Sequence, residues 1–181
     1  MNIYLSGLIG TGKTSIGKEI AGQLGWSFFD VDQIMEKEAG KRIHDIVAEE
    51  GWVSYREKEY GISKRLASLK HSVIAMAGGT VRYEWNRDVL KGTGVVILLN
   101  APINVLVQRA INHDRPRVNP VSNLKEDITL LWKEKRHLYY AAANLVYRTD
   151  RNKMVKEEAG EIIKILKRKK SLASRIERFS P

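Results

Sequence analysis

The 181-residue chain contains no cysteine, which excludes a disulfide framework and any thiolate metal site. It has only four prolines, and no apolar run approaches the ~18 residues of a membrane-spanning helix. No charged leader precedes the first apolar run, "NIYLS", so neither a signal peptide nor a membrane partner is expected and the cytoplasm is the expected compartment. Hydrophobic residues make up 43% of the chain. At this length that suffices for one domain, residues 1–181, with its own core.

Positive charge is in excess, with a formal net charge of +10. More than half of it lies in the last segment, because residues 151–181 hold ten Lys/Arg against four Glu. The densest stretch is "KRKK" at residues 167–170. No aromatic side chain interleaves it, so a base-stacking surface is unsupported and no nucleic-acid partner is expected. A basic C-terminal helix and tail over residues 152–181, solvated at its end, is the expectation.

Short strand-like runs alternate with longer helical stretches, the pattern of a parallel sheet covered by helices on both faces. Strands are predicted near residues 3–6, 27–29, 72–76, 95–99 and 145–147. The run "VVILL" is the clearest, since continuous β-branched and leucine residues suit a strand buried on both sides. Helices are predicted near residues 13–24, 43–69, 103–111, 124–143 and 153–169, with Gly51 breaking the second. Between two of them, "NHDRPRVNPVSN" at residues 112–123 carries two prolines and three asparagines and predicts an exposed, mobile loop.

The octapeptide "GLIGTGKT" at residues 7–14 fits G-x-x-x-x-G-K-[ST] between a strand and a helix. Glycines let successive N–H groups of residues such as Gly10, Thr11, Gly12 and Ser15 converge on phosphate oxygens, and the new helix adds its positive end. Lys13 would reach the β and γ phosphates, and the Thr14 hydroxyl would ligate Mg²⁺. A dinucleotide fingerprint is excluded, because Ser15 stands where G-x-G-x-x-G needs its last glycine.

Four later stretches are candidates for the phosphate acceptor's site. "FFDVDQI" sets Asp30 and Asp32 at the end of a predicted strand, where α/β sheets bind ligands; Asp30 also reads as a helix N-cap. "SYREKEY" puts Arg56 and Glu59 on one helix face, as a site element or a surface pair. "MAGGT" ends a strand with Gly78 and Gly79, which allow close approach of a ligand or make a simple turn. "KEKRHLYY" carries Arg136 on a charged helix.

Taken in order over roughly residues 1–150, "GLIGTGKT", "FDVD", "YREKE", "AGGT", "DRP" and "KRHLY" resemble the shikimate kinases. That resemblance implies a nucleoside monophosphate kinase-like P-loop fold: three α/β/α layers, a five-stranded parallel sheet in the order 2-3-1-4-5, and a mobile lid over residues 112–123. It implies ATP and Mg²⁺ as nucleotide and metal, shikimate as acceptor, and a monomer. Lys13 and Thr14 match the phosphate lysine and magnesium hydroxyl. Asp30 matches the acid that holds the metal through water, and Asp32 the one that engages the acceptor hydroxyls and takes the proton. Arg56 and Arg136 match two arginines that grip the acceptor carboxylate, with Gly78 and Gly79 lining its pocket and Glu59 steadying it. Arg115 matches the lid arginine over the transferring phosphate, and Arg109 is assigned to the adenine side.

Two departures stand out. Ala77 occupies the first place of what is usually a glycine triplet, where its methyl is either harmless or crowds the acceptor or excludes a positive φ. The lid reads "RPRVNP", which adds Arg117. The function implied is transfer of the ATP γ-phosphoryl group to the 3-hydroxyl of shikimate. The alternatives are a gluconate-type or other small-molecule P-loop kinase and, from another class, a nucleotide-binding regulatory protein without catalysis. A nucleoside monophosphate kinase is disfavoured, since paired carboxylates suit hydroxyls better than an acceptor phosphate.

Overall fold

Five short apolar runs pair side by side, all parallel, in a computed structural model that describes residues 1–111, 116–119 and 123–177. They are β1 (Asn2–Ser6), β2 (Ser27–Asp30), β3 (Ser72–Ala75), β4 (Gly94–Asn100) and β5 (Leu145–Arg148), in the spatial order β2-β3-β1-β4-β5. Every predicted strand is present, within a residue at each end. The α/β class and the strand order implied by the resemblance are those observed.

The pleat of the central strands sorts side chains onto two cores, because successive residues point to opposite faces. From β1 and β4, Ile3, Leu5, Ile97 and Leu99 go to one face, where helices α1 (Lys13–Leu24) and α7 (Val155–Glu177) cover them with Ile16, Ile20 and Ile162. Tyr4, Val96 and Leu98 go to the other, under α2 (Val31–Ala39), α3 (Ile43–Ala67), α4 (Glu84–Leu90), α5 (Ile103–Ala110) and α6 (Leu124–Ala142). Gly51 breaks α3 as expected, with φ 80° and ψ 171° inside the helix.

Two helices and a 3₁₀ turn at Thr80–Arg82 escape the sequence reading. Helix α2 follows β2 with no loop: Asp30 is both the last strand residue and the N-cap. A nine-residue helix that starts inside a strand signal leaves no punctuation to find it by. Helix α7 runs to Glu177, beyond the predicted end, and Lys167, Arg168 and Lys169 are exposed on it. Among the described residues no helix is long and apolar enough to cross a membrane.

Candidate active site

The C-terminal ends of β1, β2 and β3 open into one cavity of about 860 Å³, whose wall also includes α3, α6 and the stretch from Pro116 to Val118. Its floor is the loop between β1 and α1. Gly7, Gly10 and Gly12 all have positive φ, at 141°, 79° and 89°. A Cβ on Gly7 would collide with the Leu99 carbonyl, and one on Gly10 would lie 2.7 Å from the Leu106 carbonyl. The loop is therefore pressed onto β4 and α5 as only glycine permits. No side chain caps the start of α1, so its N-terminal dipole faces the cavity. Lys13 folds over the loop, its Nζ donating to the carbonyls of Gly7 at 2.9 Å and Leu8 at 3.0 Å.

Asp30 uses its two carboxylate oxygens separately. Its Oδ1 accepts from the backbone N–H of Asp32 (3.0 Å) and Gln33 (3.3 Å), capping α2, while its Oδ2 accepts from Thr14 Oγ1 at 2.6 Å. Two hard oxygen ligands thus sit at the phosphate loop. No cluster of three or more His, Cys, Asp or Glu that could cage a metal exists among the described residues. That donor set fits Mg²⁺, which takes one or two protein oxygens and completes its shell with phosphates and water.

In the first turn of α2, Asp32 lines the same cavity and accepts a long contact of 3.4 Å from the Tyr55 hydroxyl. Across from it, Arg56 donates to Glu59 Oε2 at 2.9 Å, and the other carboxylate oxygen of Glu59 accepts from Thr80 Oγ1 at 2.8 Å. Glu59 is fully buried and the Arg56 side chain is 11% exposed. This is no surface pair. The guanidinium packs against the rings of Trp52, Tyr55 and Tyr83, 4.7–5.1 Å from their centroids. Burial works against its charge, but Glu59 and the two phenols outweigh that and raise its pKa, so Arg56 is a fixed cation. Its Nε has no partner, an unmet donor at the cavity wall.

Gly78 and Gly79 line the cavity next to Arg56. Tyr139 on α6 donates to the Gly78 carbonyl at 2.6 Å and holds this turn in place. Burial pushes the Tyr139 phenol up to about 12, so it stays a donor at neutral pH. Ala77 neither has a positive φ nor joins the cavity wall; its methyl belongs to the core. The substitution thus leaves the acceptor space untouched.

At the opposite end, Arg109 bridges the phosphate loop and the residue after β5, donating to Gly10 O at 3.5 Å, Thr149 O at 2.8 Å and Thr149 Oγ1 at 3.2 Å. Burial raises the pKa of Glu158 nearby. Arg117 lines the cavity. The next two lid residues are tied down by Asp127, whose carboxylate accepts from the N–H of Val118 (3.2 Å) and Asn119 (2.8 Å). Arg115 lies outside the described residues.

Arg136 is exposed on α6 and does not line the cavity wall. Leu124, Ile128 and Leu131 line the cavity, and Tyr139 reaches Gly78 from the same helix. Conversely, Arg82 and Asp127 belong to the site and were missed. For Arg82 the available signal was its spacing, three residues after Gly79, one turn of 3₁₀ helix.

Of the predicted positions, the cavity therefore gathers Gly10, Thr11, Gly12, Lys13, Thr14, Ser15, Asp30, Asp32, Arg56, Gly78, Gly79 and Arg109. The sequence model of the shikimate kinase family matches residues 9–167. A shikimate kinase of Symbiobacterium thermophilum is 38% identical over 160 residues, covering 85% of this chain and 90% of that protein. One from Syntrophus aciditrophicus is 35% identical, covering 82% of each. The solved shikimate kinase of Acinetobacter baumannii, in complex with shikimate, superposes with a TM-score of 0.88 at 31% identity, over 93% of this chain and 94% of that one. With its fold, its phosphate loop and these relatives in agreement, the chain belongs to the shikimate kinase family of ATP-dependent kinases that phosphorylate a hydroxyl acceptor.

Proposed function

We propose that this enzyme transfers the γ-phosphoryl group of ATP to the 3-hydroxyl of shikimate, giving shikimate 3-phosphate and ADP. The observation that carries the reading is one cavity with a carboxylate, Asp32, and a fixed cation, Arg56, beside the phosphate loop. Shikimate has a carboxylate at one end of its ring and hydroxyls at the other, and a wall of that polarity can orient it.

In this reading the N–H groups of the loop and Lys13 hold the β and γ phosphates. Thr14, and Asp30 through water, would hold Mg²⁺, which would neutralise phosphate charge. Arg56, braced by Glu59, draws the acceptor carboxylate to the Gly78–Gly79 wall. Asp32 aligns the attacking hydroxyl and accepts its proton as the new O–P bond forms and the bond to the β-phosphate oxygen breaks. The transition state is loose, so alignment and charge placement outweigh deprotonation. Arg115 and Arg117 close the lid end, where water must be kept out for transfer to prevail over hydrolysis. Arg109 holds the adenine side.

An ADP-release assay with shikimate, gluconate and AMP as acceptors tests this. Turnover restricted to shikimate is expected. Turnover of gluconate or AMP in its place would replace the reading, and ATP binding without any acceptor would remove catalysis altogether.

A further inference from the structure

A second cavity, of about 400 Å³, lies outside the active site, where the edge strand β5 meets α7. Four cations line it, Arg148, Arg151, Lys164 and Arg168, against a single carboxylate, Glu161. We propose that this groove binds a small phosphorylated solute, a phosphate ester or a pyrophosphate-like anion, at a site separate from those of ATP and the acceptor. Its existence is independent of which acceptor the enzyme phosphorylates.

The positive charge of the groove is not balanced from within. Glu161 is engaged on both oxygens: one accepts from the Tyr147 hydroxyl at 2.7 Å and the other from Lys153. Asp150, beside the groove, holds Arg148, whose Nε donates to it at 3.0 Å. Arg151 lies close enough to lower the pKa of both Glu161 and Asp150. Lys164 and Arg168 make no hydrogen bond or ion pair among the described residues.

Ordinary helix chemistry does not account for these two. Lys164 and Arg168 stand four residues apart on one face of α7, where like charges repel. The helix continues to Glu177, so neither lies in the last turn, where the dipole would favour a cation. A bound anion removes the repulsion.

Shape and surroundings narrow the anion. Tyr147 is 4% exposed, and its bond to Glu161 ties β5 to α7, so the two walls are fixed before any ligand arrives. Guanidinium groups match phosphoryl oxygens in pairs, and an ammonium adds a point charge. Ile165, packed against the core, and Val146 add an apolar patch that suits a short carbon body. Of the lining residues only Tyr147 is aromatic, and its ring is buried, so a nucleobase has nothing to stack on. The volume is that of a site for a small molecule.

The test titrates pyrophosphate and glycerol 3-phosphate into the full-length enzyme by calorimetry, with the phosphate loop kept saturated by ADP. One further molecule per chain is expected to bind for at least one of the two. Lys164→Ala/Arg168→Ala is expected to weaken that binding about tenfold or more, as charge-assisted contacts are lost. Lys64→Ala/Lys91→Ala, which removes the same charge from exposed lysines elsewhere, is expected to leave it unchanged. Both variants are expected to keep the circular dichroism of the wild type, so that lost binding is not lost fold. No binding beyond that of ADP overturns the proposal. An equal loss in the two double variants overturns it as well, since it marks diffuse attraction to a basic protein. Cosedimentation with phosphatidylglycerol vesicles that depends on Lys164 and Arg168, while neither soluble phosphate binds, would give the groove to lipid headgroups and overturn the solute site.

Discussion

The Thr14 hydroxyl donates to Asp30 Oδ2 at 2.6 Å, joining the first turn of α1 to the end of β2 while the other oxygen of Asp30 caps α2. One carboxylate therefore caps α2 with one oxygen and leaves the other to Thr14 and, in the proposed reading, to the metal. Asp30→Asn keeps the side-chain oxygen that caps α2 and loses the charge; Asp30→Ala loses both. Only the alanine variant is expected to lose stability, about 1 kcal/mol by urea denaturation. Both are expected to need more Mg²⁺ for half-maximal turnover. Equal stability of the two variants would mean that the cap contributes nothing.

Tyr139 makes the fold sensitive to alkali. Its phenol titrates near 12 in the folded protein against an ordinary value of 10. Below pH 10 both states are protonated and the group is neutral in effect. Between pH 10 and 12 the unfolded state gives up its proton first, so it binds fewer protons and stability falls as pH rises, by up to ~3 kcal/mol. Burial raises the Tyr147 phenol as well, so the readout is the difference between proteins. Tyr139→Phe is expected to be about 1 kcal/mol less stable at pH 8, from the lost bond to Gly78, and to lose less than wild type above pH 10. Parallel stability–pH curves would refute this.

Asp127 is 6% exposed and holds two successive N–H groups, those of Val118 and Asn119, with Asn119 Nδ2 also donating to it at 2.8 Å. Asp127→Ala frees them. If this stretch belongs to a lid, as proposed, the ratio of ATP hydrolysis to phosphoryl transfer is expected to rise about tenfold, because a loosened lid admits water. Phosphate release measured with and without shikimate gives the ratio; an unchanged value would separate Asp127 from the lid.

Arg136, exposed on α6, is proposed as the second arginine that meets the acceptor carboxylate. Arg136→Ala is then expected to raise the KM for shikimate about tenfold or more, the worth of one charge-assisted contact, and to leave the KM for ATP unchanged. A KM for shikimate that stays within about twofold would exclude it from the acceptor site.

The strands were legible because each is a short apolar run bounded by turn residues, and the phosphate loop because its glycines serve a backbone path that no other residue can follow. What escaped was whatever lacked a local signature. Helix α2 follows the strand directly, so Asp30 could be read as cap or ligand; the cap is observed, and its second oxygen meets Thr14. The pair Arg56–Glu59 was visible as a spacing, but its burial comes from Thr80 and Tyr83, about 20 residues away or more in sequence. Arg136 was assigned by motif alone, and it stands exposed on α6. Arg82 looked like one more basic residue until the turn laid it over Gly79.

The orientation of the acceptor is the central claim, and the position of phosphorylation reports it directly. Phosphorus–proton correlation NMR on the product made from ATP and shikimate is expected to couple the new phosphate to the proton on carbon 3. Coupling to the proton on carbon 4 or 5, or free phosphate with shikimate unchanged, would contradict the account.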